Sequence, residues 1–134
     1  MARAFLDSNV LLYAVSADPA KADRAEGLLV AGGVVSVQVL NEVANVARRK
    51  MHLEWRALHD VIARLSMLLD VEPITIRTHE LGLSLAERHR LSVYDAMIAA
   101  AALLAGCDTL YSEDMHDGLQ IEQRLRVVNP FVRT

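Results

Sequence analysis

The sequence contains few of the residue types that mark several other classes of protein. One of its 134 residues is cysteine, Cys107, so no internal disulfide can form, and we expect a buried, inert thiol. Aromatic residues make up 4% of the chain, which predicts a core of aliphatic and alanine side chains. The apolar run over 96–105 is too short to span a bilayer, and Asp7 and Asn9 interrupt the apolar N-terminus that a secretory signal needs. These absences favour a cytoplasmic protein.

The chain also lacks a large excess of charge of one sign. Its 17 acidic and 14 basic residues give a formal net charge of −3, which excludes a strongly basic nucleic-acid binder. An enzyme that acts on nucleic acid is still compatible with this charge, because a bound metal ion supplies positive charge locally. Hydrophobic residues reach 53%, so we expect an ordered core rather than disorder.

Short apolar runs alternate with helical patterns along the sequence. We predict strands at 4–6, 34–37, 71–76, 109–111 and 127–128. We predict helices at 20–31, 38–50, 54–69, 78–88 and 92–104. Residues 10–15 fit either a helix or an extended segment, and Pro73 weakens the third strand. Because such alternation pairs strands in parallel and no linker divides the sequence, we predict one α/β domain over 1–134, with three α/β/α layers and a mainly parallel central sheet of about five strands.

Four acidic residues stand where the predicted strands end or the following helices begin. Asp7 closes the first strand, and Asp114 lies just past the fourth. Glu42 is predicted in the first turn of the helix after the second strand, and Asp95 in the first turn of the helix that begins near Ser92. In open parallel sheets such positions meet at the carboxyl edge, where ligands bind. We therefore expect the four carboxylates to share one crevice.

Converging carboxylates repel one another, and a divalent cation relieves this repulsion. Mg²⁺ and Mn²⁺ prefer hard oxygen ligands, and such ions promote phosphoryl transfer by activating water and stabilising the attacking and leaving oxygens. Ser8 and Asn9 are expected to hydrogen-bond the carboxylates or a metal-bound water. The pattern thus predicts a catalytic Mg²⁺ or Mn²⁺ site formed by Asp7, Glu42, Asp95 and Asp114.

Each acid also has a purely structural interpretation. Asp7 can form an Asx turn, and Glu42 can complement the positive end of a helix dipole. Asp95 can complete a helix cap with Ser92, and Asp114 can be a solvated charge in a loop. Their joint placement at one edge of the predicted sheet favours the metal site over four separate structural roles.

The stretches that carry these acids resemble the PIN-domain nucleases, in particular the VapC-type toxins of bacterial toxin–antitoxin pairs. The similar stretches are 5–14, 36–44, 91–96, 110–115 and 127–131, in the expected order over essentially the whole chain. The resemblance implies a metal-dependent endoribonuclease with the four acids at its acidic positions. It further implies that Ser112 orients a metal-bound water and that Asp117 is an additional acid near the site.

The same resemblance implies partners. We expect a homodimer, and a VapB-type antitoxin, encoded by a neighbouring gene, that blocks the site with its C-terminal tail. The substrate would be tRNA, rRNA or mRNA. The basic run Arg48, Arg49 and Lys50 ends a predicted helix, where cations complement the helix dipole, and its functional interpretation is phosphate contact with RNA.

Two other functions stay open at this point. A phosphatase with an aspartyl nucleophile after the first strand would have a second Asp two positions later, where this chain has Asn9. A non-catalytic module that binds RNA or protein would not need the complete set of acids. Both observations favour the nuclease.

Overall fold

A computed structural model describes residues 3–132. Within this range the strands are β1 (Ala4–Leu6), β2 (Val34–Ser36), β3 (Asp70–Glu72), β4 (Thr109–Tyr111), β5 (Gln120–Ile121) and β6 (Leu125–Val128). The helices are α1 (Ser8–Ala14), α2 (Pro19–Ala31), α3 (Val37–Arg49), α4 (Trp55–Leu68), α5 (Ile76–His89) and α6 (Val93–Leu104). The single domain predicted over 1–134 stays a prediction, and its residues 1, 2, 133 and 134 lie outside the described residues.

All of these strands join one sheet in the order β3-β2-β1-β4-β6-β5. Every neighbouring pair is parallel except β5 and β6, which are antiparallel. At the centre, Phe5 pairs with Val34 on one side and Leu110 on the other, and all three are fully buried. Because β1 lies between β2 and β4, the residue after β1 sits in the middle of the carboxyl edge.

The helices cover both faces of the sheet. Helices α1 to α4 pack against one another, whereas α5 packs on α6, which lies on β2, β4 and β6. The predicted layered α/β fold with a mainly parallel sheet is therefore confirmed. The core is rich in alanine, as the composition predicts: α6 buries eight consecutive residues from Ala96 to Leu103. Cys107 is buried, and burial raises the pKa of its thiol to about 11.

Several element boundaries differ from those predicted. Residues 8–14 form a helix, because the Asp7 side chain accepts from the Ser8 N–H and caps α1. The third strand ends at Glu72, since Pro73 follows, and α5 begins at Ile76 behind a capping box made by Thr75 and Thr78. The two-residue strand β5 was not predicted. None of the helices within residues 3–132 has the length and hydropathy needed to cross a membrane.

Candidate active site

Asp7 lies at the centre of the carboxyl edge of the sheet. It follows β1 directly, and its side chain is 4% exposed. Its Oδ1 accepts a hydrogen bond from the Ser8 backbone N–H at 2.7 Å, and its Oδ2 accepts one from the Ser112 hydroxyl at 2.8 Å. Ser112 follows β4, and the pairing of Leu6 with Tyr111 brings the two strand ends together. The parallel sheet thus fixes the Asp7 carboxylate from both neighbouring segments.

Asn9 joins α1 to the loop that follows β4. Its Oδ1 accepts from the Glu113 backbone N–H at 3.0 Å, and its Nδ2 donates to Asp114 Oδ2 at 3.1 Å. The same Nδ2 lies 3.4 Å from Asp7 Oδ2, so one amide stands between two carboxylates. The Ser112 hydroxyl accepts from the Asp114 N–H at 3.3 Å. The side chains of Asn9 and Ser112 therefore contact both Asp7 and the segment that carries Asp114, whereas Ser8 bonds Asp7 through its backbone N–H.

Glu42 and Asp95 approach Asp7 from the two helix layers. Glu42 lies in the second turn of α3 rather than the predicted first, because α3 begins at Val37 and a helical turn takes 3.6 residues. Asp95 lies in the first turn of α6, where the Ser92 hydroxyl accepts from its N–H at 3.1 Å. Both side chains are half-buried, and the charge of each raises the pKa of Asp7. The structure thus places Asp7, Glu42, Asp95 and Asp114 at one edge of the sheet.

Gln38 is a site residue that the sequence did not single out. Its Nε2 donates to the Tyr94 backbone carbonyl at 3.2 Å and lies 3.5 Å from Glu42 Oε2. It therefore links α3 to the first turn of α6 beside Asp95. The available signal was its position four residues before Glu42, which puts both side chains on one face of α3.

The electrostatics of Asp7 favour a bound cation. The pKa of Asp7 is raised to about 6: burial is the largest cause, hydrogen bonds from Ser112 and Ser8 oppose the rise, and the charges of Glu42 and Asp95 add to it. No three acidic, histidine or cysteine side chains within residues 3–132 are grouped closely enough to enclose an ion. Mg²⁺ typically binds through one or two carboxylates, waters and substrate phosphates, so the acidic oxygens of this edge fit such an ion.

Two of the predicted candidates have structural contacts instead. Asp117 is exposed, and its Oδ1 accepts from the Asn129 backbone N–H at 2.8 Å. Arg48 donates to the Leu53 carbonyl at 2.8 Å, and its guanidinium lies 4.2 Å from the centre of the Trp55 ring. Arg49 and Lys50 are exposed at the end of α3. Of the basic run, these two residues present their charges to solvent.

A second network, which the sequence did not indicate, supports the loop after β4. Glu113 Oε2 accepts from Lys21 Nζ at 2.8 Å, and its Oε1 accepts from the Tyr13 hydroxyl at 2.5 Å. Burial alone would raise the pKa of Glu113, but the hydrogen bonds from Lys21 and Tyr13 keep it below its usual value. This network ties Glu113, between Ser112 and Asp114, to α1 and α2.

Replacing the Ser112 hydroxyl tests its contact with Asp7. In metal-free Ser112→Ala protein we expect the pKa of Asp7 to rise by about 1, because a hydrogen bond to the charged form is lost. Carboxyl ¹³C NMR titration measures this pKa. Ser66→Ala removes an exposed hydroxyl on α4 that bonds to the Ile62 carbonyl, and it should leave Asp7 unchanged. An equal pKa in Ser112→Ala and wild type would contradict the contact.

Comparison with known proteins places this geometry in a family. A family model of the PIN domain matches residues 4–117, from β1 to the loop that carries Asp114. The chain belongs to the PIN domain family. The matched residues include all four acids at the carboxyl edge of the sheet. A search of curated proteins found no match.

Solved structures share the PIN fold over most of this chain. The VapC20 toxin of Mycobacterium tuberculosis, described as cleaving the sarcin-ricin loop, is 25% identical, with a TM-score of 0.67 over 83% of this chain and 89% of its own. A toxin–antitoxin complex from Klebsiella pneumoniae is 24% identical, with a TM-score of 0.71 over 96% and 98%. A DNA-bound VapBC complex from Salmonella typhimurium is 21% identical, with a TM-score of 0.63 over 95% and 97%. Each alignment covers most of both chains, so the matched chains are similar in length to this one.

Proposed function

We propose that this PIN domain is a Mg²⁺- or Mn²⁺-dependent endoribonuclease and the toxin of a VapBC-type toxin–antitoxin pair. The observation that carries the proposal is the buried carboxylate of Asp7, whose pKa is raised to about 6 by burial and by Glu42 and Asp95. An acid kept in such surroundings is typical of a functional site. A divalent cation there gives the carboxylates a counter-charge and the site its chemistry.

The ion would be held among Asp7, Glu42, Asp95 and Asp114, with one or two of these carboxylates as direct ligands and waters and substrate phosphates as the others. When bound, it supplies a more acidic water and positive charge for the phosphate oxygens. The protein itself positions the carboxylates. Ser112 and the Ser8 N–H hydrogen-bond the two oxygens of Asp7, and Asn9 hydrogen-bonds Asp114 close to Asp7. Gln38 and Ser92 orient the turn that carries Asp95. These contacts set the carboxylates before substrate arrives, which reduces the reorganisation that the reaction requires.

The toxin assignment draws on the relatives. VapC20 is described as a toxin that cleaves the sarcin-ricin loop, and further solved relatives are a toxin–antitoxin complex and a DNA-bound VapBC complex. We propose that this chain acts on tRNA, rRNA or mRNA in the cytoplasm, forms a homodimer and is neutralised by a VapB-type antitoxin. The exposed cations Arg49 and Lys50 are proposed to contact RNA phosphates.

Metal exchange tests the proposed activity directly. Purified chain, free of antitoxin, should cut RNA from cells in Mg²⁺ or Mn²⁺, and excess EDTA should reduce cleavage to background, because it removes the ion that would activate the water. Restoring Mn²⁺ should restore the same cut sites, mapped by sequencing of RNA ends. Cleavage that is unchanged by EDTA would contradict the metal dependence. Intact RNA after incubation with metal-loaded chain would contradict the nuclease.

A further inference from the structure

A cavity of about 410 Å³ opens directly beside the acids of the candidate site. Asn9 and Asp114, which belong to that site, form one side of it. The remaining walls are mainly apolar and come from α1, the turn after α1 and the loop after α3. They include Leu12, Tyr13, Ala17 and Met51. One amide side chain, Asn9, therefore both lines the cavity and bonds the carboxylates.

The aromatic wall of the cavity, Tyr13, makes several contacts with its neighbours. The Tyr13 hydroxyl donates to Glu113 and accepts from Lys21 Nζ at 3.0 Å. The Tyr13 ring also makes an edge contact with Phe131, with ring centres 4.7 Å apart. A mainly apolar cavity with an aromatic side chain and a few polar groups is typical of a site for a small ligand or for one group of a larger one. Here the polar groups are the Ser16 hydroxyl and the Glu113 carboxylate.

We propose that this cavity binds one nucleobase of the RNA substrate, from a nucleotide adjacent to the phosphate that is cut. This inference rests on the proposed function, since it assigns a subsite to the same reaction. Enzymes that act on single-stranded RNA turn bases out of the stack and place them on aromatic side chains, while the phosphates follow charged groups. The cavity joins the carboxylates through Asn9, so a base bound there keeps its own phosphate close to the acids. Met51 directly follows Lys50, which places an exposed cation next to the cavity along the chain.

The first test combines cavity-filling variants with abasic RNA. Ala17, which is exposed, and Met51 both line the cavity, so Ala17→Trp and Met51→Trp each add a large ring there. Ala31→Trp adds the same ring to an exposed position at the far end of α2, away from the cavity. Removing the base at one nucleotide beside the cut should lower the wild-type kcat/KM by about 10–100-fold. For Ala17→Trp and Met51→Trp, kcat/KM on intact RNA should also be about 10–100-fold below that of wild type. Removing the base should not lower the kcat/KM of these two variants any further. Ala31→Trp should behave as wild type.

Two separate results would overturn the proposal. One is a folded Ala17→Trp or Met51→Trp protein, checked by circular dichroism, that cuts intact RNA at the wild-type rate, even if it no longer binds an antitoxin. The other is a filled variant that keeps the full wild-type sensitivity to the missing base. Either result would mean that the cavity does not hold a nucleobase during cleavage.

A binding experiment separates this proposal from the proposed function. In an Asp7→Asn background, fluorescence anisotropy measures the affinity for the same labelled RNA with and without Ala17→Trp. A fall in affinity of about 10-fold or more on filling the cavity, seen only when the base is present, supports the subsite without any cleavage. If wild type cuts no RNA, the nuclease proposal fails, but the affinity measurement still shows whether the cavity binds a nucleobase. Equal affinities would overturn the subsite alone.

Discussion

Asp7→Asn protein is expected to cut RNA about 10³-fold more slowly than wild type, equivalent to ~4 kcal/mol in the activation barrier. The amide has the shape of the carboxylate, and its oxygen can still accept from the Ser8 N–H. Its nitrogen can donate to the Ser112 oxygen in place of the present bond. The local structure is therefore kept while the charge that would hold the ion is lost. Single-turnover cleavage of a labelled RNA measures the difference.

The matched control for this prediction is Asp108→Asn. Asp108 is exposed and precedes β4, so it lies at the opposite edge of the sheet from the acids, and the substitution removes the same charge. Its cleavage rate should stay close to that of wild type. A folded Asp7→Asn protein with a rate within tenfold of wild type would rule out Asp7 as a metal ligand. Expression of each variant in growing cells gives a second measurement, because loss of cleavage should also restore growth.

The same substitution should stabilise the metal-free protein at neutral pH. The pKa of Asp7 is about 6 in the folded state against 3.8 for an ordinary Asp, so ionised Asp7 opposes folding by about 3 kcal/mol above pH 6. Below about pH 4 the group is protonated in both states and the penalty vanishes. The altered hydrogen bonds of the amide should cost about 1 kcal/mol. The free energy of unfolding of Asp7→Asn should therefore exceed that of wild type by ~2 kcal/mol at pH 7. Urea unfolding in EDTA measures this free energy.

The difference in the free energy of unfolding between Asp7→Asn and wild type should depend on pH. Near pH 4 Asp7→Asn should be about 1 kcal/mol less stable than wild type, because only the altered hydrogen bonds count there. Its stability relative to wild type should rise between pH 4 and 6 and stay nearly constant above pH 6. Added Mg²⁺ should stabilise wild type and leave the variant unchanged, since the ion binds only where the charge is present. Asp108→Asn again serves as the control. A wild-type protein that gains stability over Asp7→Asn between pH 4 and 6 in EDTA would show that the pKa of Asp7 is not raised.

The placement of the acids could be predicted because it depends on strand order rather than on detail. An apolar run that ends in an acid, such as residues 4–7, becomes a buried strand with that acid at the carboxyl edge once the strands pair in parallel. The same reasoning places Asp114 after β4. The prediction that Glu42 lies in the first turn was wrong, because a helix that begins at residue 37 or 38 completes its first turn of 3.6 residues before residue 42.

The contacts around the acids could not be predicted in the same way. Glu113 meets Lys21, 92 positions earlier, and Tyr13, 100 positions earlier, so no local spacing connects them. The role of Arg48 depends on Trp55, which lies in the next helix. The strand β5 has two residues, too few for an alternating pattern. Sequence patterns describe faces of single elements, whereas these features arise where separate elements meet.

The position of β1 between β2 and β4 also determines when the site forms during synthesis. Asp7 is made early, but its partner Ser112 comes 105 positions later, and β4 joins the sheet only after it has left the ribosome. A nascent chain therefore carries Asp7 without the segment that completes its surroundings until Ser112 has been made. For the proposed RNA-cutting activity, this order keeps the site incomplete while the 104 residues between them are translated.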